Sequence, residues 1–332
     1  MRNVDPANSP LEAAAGAAGP RAIEAFKRLG NETRLAILLA LWEAYEPFDD
    51  DDAVPFSTLY ERVGIGDSGN FSYHLEKLTG HFVRRTEEGY ELRNAGRKLV
   101  RAVIAGTGLD EASFDPTEID KPCPHCGAPV AVAYRDEWLF QVCTECEGTF
   151  AGSDEFLPGT LTVWPFDQAG LSDRTPEEMF VAGGVATVER YAMMIGGICP
   201  ECSGAVDTSL DVCHDHEPPT GGMCSACDRR YPVQVRFVCG VCKNKMWGPP
   251  SILVAVHPRV VAFYASRGVE LGTVSADLTG VTDLMRLVRE HDRAESVSAD
   301  PPTVEVTFRC AGDELRLLVD DDLEVLDIEV RT

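Results

Sequence analysis

Ten of the twelve cysteines in this 332-residue chain stand in pairs of the form Cys-X-X-Cys. Each pair can place two thiolates on one metal ion, and two pairs complete a tetrahedron. Cys123–Cys126 and Cys143–Cys146 are separated by sixteen residues. Val130, Val132 and Tyr134 alternate along a predicted strand, 135–137 form a turn, and 138–142 form the returning strand of a hairpin. The spacing predicts a zinc ribbon with four thiolates, and because such a site is closed we expect a structural role.

Residues 199–242 hold a denser set of metal donors. They contain Cys199–Cys202, Cys213-His-Asp-His216, Cys224–Cys227 and Cys239–Cys242. Sequential pairing predicts two sites, which consist of Cys199, Cys202, Cys213 and His216, and of Cys224, Cys227, Cys239 and Cys242. We favour this arrangement because Tyr231, Val233, Val235 and Phe237 alternate like a strand of a second ribbon hairpin. Interleaved pairing, of the first knuckle with the third and the second with the fourth, is the alternative.

Three further residues need an assignment. His214 could replace His216 as a ligand, but the two-residue gap of a knuckle favours His216. His125 lies inside a knuckle, and we expect it to face solvent. Cys310 stands alone near the end of a predicted strand, and we expect a buried apolar role for it. The ligand count predicts about three structural zinc ions.

Two other functions of the cysteine-rich region stay open. A catalytic zinc has three protein ligands, an open position and a nearby base, and Asp215, Glu217 and His214 lie close to the predicted mixed site. Because four ligands are available for each ion, we expect closed sites, no catalytic residue and no enzyme activity. A metal- or redox-responsive sensor that uses a labile site of three cysteines and one histidine is the second alternative.

Residues 56–92 predict two helices followed by a two-stranded hairpin. Leu59 and Val63 lie on one face of the first helix, which ends at Gly64. Asp67 or Ser68 can cap the second helix, whose apolar face carries Phe71, Leu75 and Leu78. Its polar residues and the hairpin tip could contact DNA; these candidates are Ser68, Asn70, Ser72, Tyr73, His74, Lys77, Arg84 and Arg85.

Further helices are predicted on both sides of this segment. One spans residues 21–29, a second is capped by Asn31, and a third spans 94–104. The order and break points of LGNETRLAILLAL, DSGNFSYHLEKL and GYELRNAGRKLVRAVIAG resemble the winged helix-turn-helix domain of ArsR-type regulators, in the form common in haloarchaea. The resemblance covers residues 20–106. It implies a homodimer that binds double-stranded DNA, with the second helix reading bases and the wing touching the backbone.

Two observations bear on that resemblance. Metal-sensing members carry a cysteine pair near the recognition helix, whereas no cysteine precedes Cys123 here, so sensing at that position is not supported. Trihelical domains of this type also serve as protein-docking modules, and a protein partner could bind the zinc modules. We favour DNA binding because the helix and the wing occur together.

The charge of the chain is unevenly distributed. The formal net charge is −24, of which residues 21–106 contribute −2 and residues 107–332 contribute −21. Six lysines stand against 24 arginines. This balance is typical of a protein kept soluble in concentrated salt, although an acidic region that repels non-specific DNA would give the same numbers.

No apolar run reaches the roughly 20 residues that a membrane span requires. The strongest, 180–198, is interrupted by Glu189 and Arg190. The N-terminus lacks the apolar segment of a signal peptide, so we expect a cytoplasmic protein whose cysteines bind metal rather than form disulfides.

The predicted fold class is multidomain α+β. Its predicted parts are a disordered leader (1–19), the winged helix-turn-helix (20–106), a linker (107–121), a zinc ribbon (122–150), a helical connector (151–198), a double zinc-binding module (199–250), and an α+β region of helices and an antiparallel β-meander (251–332). In the connector, Tyr191, Met193 and Met194 could line a ligand cavity, but ordinary core packing is favoured.

Overall fold

The computed structural model describes residues 19–48, 53–106, 112–150, 155–219, 222–271, 287, 294–299 and 301–332. The chain divides into two compact units, Met1–Leu109 and Asp110–Thr332. Within the described residues the fold is mixed α+β, with seven α-helices and four antiparallel sheets. The predicted leader, apart from Gly19, and the acidic run 49–52 lie outside the described residues.

The first unit contains five helices and one hairpin. The helices are α1 (Gly19–Leu29), α2 (Glu32–Glu43), α3 (Phe56–Val63), α4 (Ser68–Leu78) and α5 (Asn94–Ile104), and the hairpin pairs β1 (Val83–Arg85) with β2 (Tyr90–Leu92). Each predicted helix and the predicted hairpin are confirmed. The core of the unit includes Ile37 and Leu41 from α2 and Leu59 from α3.

The turn between α3 and α4 follows from its residue types. Gly64 ends α3 with a φ of +68°, a left-handed conformation that glycine adopts without a steric penalty. Asp67 caps α4, because its Oδ1 accepts hydrogen bonds from the backbone N–H groups of Gly69 at 2.8 Å and Asn70 at 3.2 Å. Phe71 is fully buried against the rings of Phe56 and Tyr60. The apolar face of α4 is thereby fixed toward the core of the unit.

The second unit begins with a four-stranded antiparallel sheet. Its strands are β3 (Phe114–Pro122), β4 (Pro129–Arg135), β5 (Trp138–Cys143) and β6 (Thr160–Pro165), in that order. The β4–β5 hairpin confirms the predicted ribbon strands, and its two turn residues, Asp136 and Glu137, both have positive φ, as a tight hairpin turn requires.

Two parts of the sequence prediction are wrong in this sheet. Most of the predicted linker 107–121 is strand β3, and the predicted helical connector 151–198 contains strand β6. β3 is an edge strand, and Ile119 is its only buried residue. Because the other positions are not buried, they can be polar, and the sequence of the strand resembles that of a linker. The stretch 160–165 is only six residues long, and it is ordered as a strand by its pairing with β5.

One helix joins the two halves of the second unit. α6 (Pro176–Ile195) begins with a capping box, in which Thr175 and Glu178 exchange side-chain-to-backbone hydrogen bonds. Near its start, Phe180 packs in the core of the first sheet. Near its end, Met194 is fully buried in a second core that the β7–β9 sheet and the C-terminal strands share. The predicted helix between the two cysteine-rich segments is confirmed, and it is buried along one face rather than throughout.

The second sheet of this unit has three strands. β7 (Val206–Val212), β8 (Val233–Cys239) and β9 (Lys245–Gly248) pair in order and are antiparallel. A 3₁₀ helix (Pro250–Ala255) and α7 (Pro258–Ala265) follow. The alternation predicted for residues 231–237 corresponds to the burial pattern of β8, in which Val233, Val235 and Phe237 face the core.

The C-terminal part is a four-stranded meander. β10 (Ala294–Ala299), β11 (Pro302–Cys310), β12 (Asp313–Val319) and β13 (Val325–Arg331) pair in chain order. The predicted meander is confirmed and has one additional strand, β10. Of residues 272–293, only Leu287 is described, and it is helical and buried. Among the described helices, none has the length and apolar character to cross a membrane.

Candidate metal centres and candidate nucleic-acid interface

The first cysteine cluster brings together the four thiols that the sequence predicts. Cys123, Cys126, Cys143 and Cys146 have sulfur atoms that all lie within 4.8 Å of one another. The Sγ atoms of Cys123 and Cys146 are 3.7 Å apart, and those of Cys126 and Cys143 are 3.5 Å apart. A disulfide requires about 2.05 Å, whereas thiolates 2.3 Å from a tetrahedral ion lie about 3.8 Å apart. The spacing therefore fits a shared metal ion.

Backbone N–H groups of the knuckles point at the sulfurs. The N–H groups of Glu145 and Cys146 donate to the Sγ of Cys143 at 3.4 Å and 3.3 Å. Burial raises the pKa of the Cys143 thiol, but these two N–H groups and the neighbouring thiols outweigh it, and the pKa falls to about 7. Burial and the sulfurs of Cys143 and Cys123 raise the pKa of Cys146 to about 12. Ionising Cys146 beside an ionised Cys143 therefore costs free energy in the absence of a cation. A bound divalent cation would offset this cost by attracting both thiolates.

The second region forms two clusters, and neither arrangement considered from the sequence is correct. The first knuckle joins the fourth, so that one cluster holds Cys199, Cys202, Cys239 and Cys242. The second knuckle joins the third, so that the other cluster holds Cys213, His216, Cys224 and Cys227. The pairing is nested: the cluster with the imidazole lies, along the chain, inside the all-thiolate cluster.

The β7–β8 hairpin explains the nested pairing. The knuckle 199–202 precedes β7 and the knuckle 239–242 begins at the last residue of β8, and the two knuckles meet because the strands are antiparallel. The Sγ atoms of Cys199 and Cys242 are 3.6 Å apart, and those of Cys202 and Cys239 are 3.5 Å apart. The remaining two knuckles lie at the opposite end of the same hairpin.

In the cluster of Cys199, Cys202, Cys239 and Cys242, backbone N–H groups lower thiol pKa values as they do in the first cluster. Burial raises the pKa of Cys199, but the N–H groups of Cys202 and Glu201, together with the neighbouring thiols, lower it to about 6. The backbone N–H groups of Cys242 and Val241 lower the pKa of Cys239. Thiolates are the form that binds metal, so both shifts favour ligation near neutral pH.

His216 is oriented by a backbone hydrogen bond. Its Nε2 lies 3.1 Å from the carbonyl oxygen of Arg230, and its Nδ1 lies 3.5 Å from the Sγ of Cys227. The Nε2–H donates to the carbonyl, which leaves the Nδ1 lone pair directed into the cluster. His216, and not His214, is therefore the histidine that lies among the three thiols.

The residues expected not to bind metal lie outside the three clusters. His125 is half-buried, and its Nε2 lies 3.0 Å from the Oγ1 of Thr149. The prediction that it faces solvent is therefore correct only in part. Cys310 is half-buried at the end of β11 and packs against the second core, in agreement with its predicted apolar role.

In the first unit, most of the predicted DNA contacts are exposed. Asn70, Tyr73 and Lys77 are exposed on α4, and the Lys77 ammonium lies 5.3 Å from the centre of the Tyr73 ring. Ser68 and Ser72 are exposed on the same helix. Arg84 and Arg85 are exposed on the hairpin; Arg84 forms an ion pair with Glu91, and Arg85 lies over the Tyr90 ring.

His74 differs from its prediction. Only 8% of it is exposed, and its Nδ1 is buried without a hydrogen-bond partner among the described residues. Burial lowers its pKa, and the charge of Arg34 lowers it further. The neutral ring is therefore part of the helix packing, and the prediction that it lies on the polar face is wrong. His74 lies three residues after Phe71 and four before Leu78, and this helical spacing places it on the apolar face of α4.

The comparisons with known proteins assign the second unit. Residues 120–325 match a family described as a domain of unknown function, DUF7351. This chain belongs to the DUF7351 family. Residues 22–103 match a second description, domain of unknown function DUF7347. No curated protein matches the chain.

The DUF7351 match coincides with the unit that carries the three candidate metal clusters. It contains all twelve residues of the three clusters, the helix α6 that links the two cores, and most of the C-terminal meander. The DUF7347 match lies inside the first unit and ends within α5. The boundaries of the two matches therefore agree with the division of the chain into two compact units.

Proposed function

We propose that this protein is a sequence-specific DNA-binding transcriptional regulator with structural zinc sites. Its first unit is a winged helix-turn-helix in which α4 enters the major groove and the β1–β2 hairpin is the wing. The observation that carries the proposal is the face of α4 that bears Asn70, Tyr73 and Lys77. This face is exposed, whereas the opposite face is fixed in the core.

The side chains on that face suit base recognition. An asparagine can form a bidentate pair with adenine, and a lysine can donate to guanine. The Asp67 cap fixes the N-terminus of α4. In a recognition helix, the N-terminal residues are the ones that contact base edges. Arg84 and Arg85 stand at a hairpin edge, where they can reach phosphates. The first unit is nearly neutral, so base contacts carry more of the affinity than in a strongly basic domain.

Exposed apolar residues on the helices of the same unit support a homodimer. Phe26 on α1, Leu39 on α2, and Val103 and Ile104 on α5 are all exposed by 41% or more. A contiguous exposed patch of such side chains is typical of a protein interface. A dimer would present two copies of α4 to a palindromic site.

The three clusters support zinc as the bound metal. Sets of four thiolates, or of three thiolates and one imidazole, in tetrahedral spacing suit zinc, and they leave no position open for a substrate. About three zinc ions would be held per chain. Because the knuckles lie at the ends of the β4–β5 and β7–β8 hairpins, ligation would stabilise both sheets.

The test is selection of bound duplexes from a random DNA pool by the full zinc-loaded chain at high potassium concentration. We expect an enriched palindromic motif. The triple variant Asn70→Ala, Tyr73→Ala, Lys77→Ala should lose this enrichment, whereas Glu76→Gln, an exposed change on the same helix, should retain it. Absence of enrichment by the unaltered chain would refute the proposal and favour a protein-docking role for the first unit.

A further inference from the structure

A large cleft lies between the two metal-bearing sheets of the second unit. Its volume is about 880 Å³, and its walls come from the first sheet, α6, the knuckle 224–227 and the second sheet. Three of the four tryptophans of the chain, Trp138, Trp164 and Trp247, line it together with Tyr191. Small-molecule sites have volumes of roughly 300–1,000 Å³ and mostly apolar walls. The cleft therefore has the size and the lining of a ligand site.

From the sequence, Tyr191, Met193 and Met194 are candidates for the lining of a ligand cavity in this region. Of these three, Tyr191 lines the cleft, Met194 is fully buried in the second core, and Met193 does not contribute to the walls. The remaining aromatic residues come from strands that are distant in sequence. Their convergence depends on the packing of both sheets against α6.

The charge of the cleft is opposite to that of the rest of the unit. Residues 107–332 hold 17 basic and 38 acidic side chains. Five basic residues line the cleft, and only three acidic residues do, namely Glu201, Asp211 and Asp228. The basic residues are Arg190, Arg229, Arg230, Arg236 and Lys245. A surplus of cations at one concave site of a strongly acidic unit raises the local concentration of anions there.

The cations are arranged so that the local carboxylates do not neutralise all of them. Asp211 is shared, because it pairs with Arg229 at 3.1 Å and also with Arg236. The Arg230 Nη2 donates a hydrogen bond to the backbone carbonyl oxygen of Gly148 at 2.8 Å. This carbonyl is uncharged, so the hydrogen bond does not neutralise the guanidinium. The Lys245 ammonium lies 5.9 Å from the centre of the Trp247 ring. Positive charge thus remains beside an aromatic surface.

We propose that this cleft binds a small organic anion with a planar apolar body. The body lies against Trp138, Trp247 and Tyr191, and the anionic group is placed at Arg236 and Lys245. A guanidinium fork and an ammonium suit a carboxylate, sulfonate or phosphate group equally. This inference goes beyond the proposed DNA binding and does not depend on it, because the first unit contributes nothing to the site.

The test uses two fluorescent probes that differ by the anionic group. 1-Anilinonaphthalene-8-sulfonate carries a sulfonate, and N-phenyl-1-naphthylamine is its uncharged counterpart. Each is titrated into the full zinc-loaded chain at one potassium concentration, with tryptophan-to-probe energy transfer as the readout. We expect the sulfonate to bind with a stoichiometry of one and at least about fivefold more tightly than the uncharged probe.

Charge variants locate the anionic group. The double variant Arg236→Gln, Lys245→Gln should weaken sulfonate binding by about tenfold and leave the uncharged probe unchanged. Arg259→Gln is the matched control, because it removes an exposed positive charge of the same unit from α7, outside the cleft, and it should change neither probe. Equal affinities for the two probes, or equal effects of the double variant and the control, would overturn the proposal.

A filling variant tests the location without altering charge. Thr187 lies on α6 and lines the cleft, so Thr187→Phe should weaken both probes. Sulfonate binding that survives this change undiminished would place the probe elsewhere and refute the assignment. Zinc content and circular dichroism are measured for every variant. If the double variant loses zinc, the single variants Arg236→Gln and Lys245→Gln, both at exposed positions, give the same comparison.

Discussion

Val206, the first residue of β7, lies opposite Cys239, the last residue of β8. At the other end of the same pair of strands, Val212 lies opposite Val233. The knuckles 199–202 and 239–242 therefore meet at one end of the hairpin. The knuckles 213–216 and 224–227, which lie between its two strands in the sequence, meet at the other end. This register assigns the outer knuckles to one metal ion and the inner knuckles to another.

The register predicts how zinc is lost when ligands are removed in pairs. Cys199 and Cys242 belong to the same cluster, so the double variant Cys199→Ser, Cys242→Ser should lose no more zinc than Cys199→Ser alone. Content should fall from about three ions per chain to about two in both variants. The measurement is elemental analysis of the purified full chain after dialysis.

The matched control combines ligands from different clusters. Cys199→Ser with Cys213→Ser should leave about one ion, because these residues lie in separate clusters. Sequential pairing gives the reverse pattern, in which Cys199 and Cys213 share an ion and Cys199 and Cys242 do not. A greater loss from Cys199→Ser, Cys242→Ser than from either single variant would therefore contradict the nested arrangement.

Features set by local sequence were predictable. The caps at Asn31 and Asp67, the break at Gly64 and the apolar face of α4 depend on residues within a few positions of one another. Each knuckle is likewise local, and the first ribbon could be completed because its two knuckles flank a single short hairpin.

Features that depend on distant pairing were not predictable. β3 pairs with the free edge of β4 and β6 with that of β5, and the mostly polar composition of β3 gives little signal of a strand. The ligand sets of the second region depend on which strand pairs with β8, and β7 has a mostly polar pattern with no fully buried residue. The cleft required both sheets to be placed against α6 before its aromatic and basic residues could be seen to converge.

The second prediction separates His214 from His216, the histidine of the inner cluster. His216→Ala should release the ion of that cluster faster to a chelator, because the site loses a ligand held in place by the Arg230 carbonyl. His214→Ala is the control two residues away, at an exposed position outside the cluster, and its release rate should match that of the unaltered chain. The rate is followed with a zinc-sensitive dye. His216→Cys, which restores a fourth ligand, should retain the ion, and a release from His214→Ala as fast as from His216→Ala would contradict the assignment.

The third prediction concerns the close approach of α6 to the first sheet. A Cβ at Gly183 would lie 2.8 Å from the Trp164 ring and 3.1 Å from Leu139. Trp164 is buried and cannot move aside freely, so Gly183→Ala should destabilise the second unit by roughly 1–3 kcal/mol despite its better helix propensity. The measurement is the shift of the urea midpoint of the zinc-loaded chain. Gly196→Ala, at the C-cap of the same helix with nearest contacts of 3.4 Å, should change the midpoint little, and equal midpoints for the two variants would contradict this packing.

The fourth prediction concerns the hairpin of the first unit and rests on the proposed DNA binding. Each phosphate contact releases counterions, so Arg85→Ala should lower the slope of log affinity against log potassium concentration by about one. Arg84→Ala should lower it by less, because Arg84 is already paired with Glu91 across the hairpin, and Glu91→Gln should in turn increase binding. Lys98→Ala, which removes an exposed charge from α5, serves as the control and should leave the slope unchanged. Slopes are measured by fluorescence anisotropy on a selected duplex. An unchanged slope in both arginine variants would show that the hairpin does not contact the DNA backbone, even if α4 reads the bases.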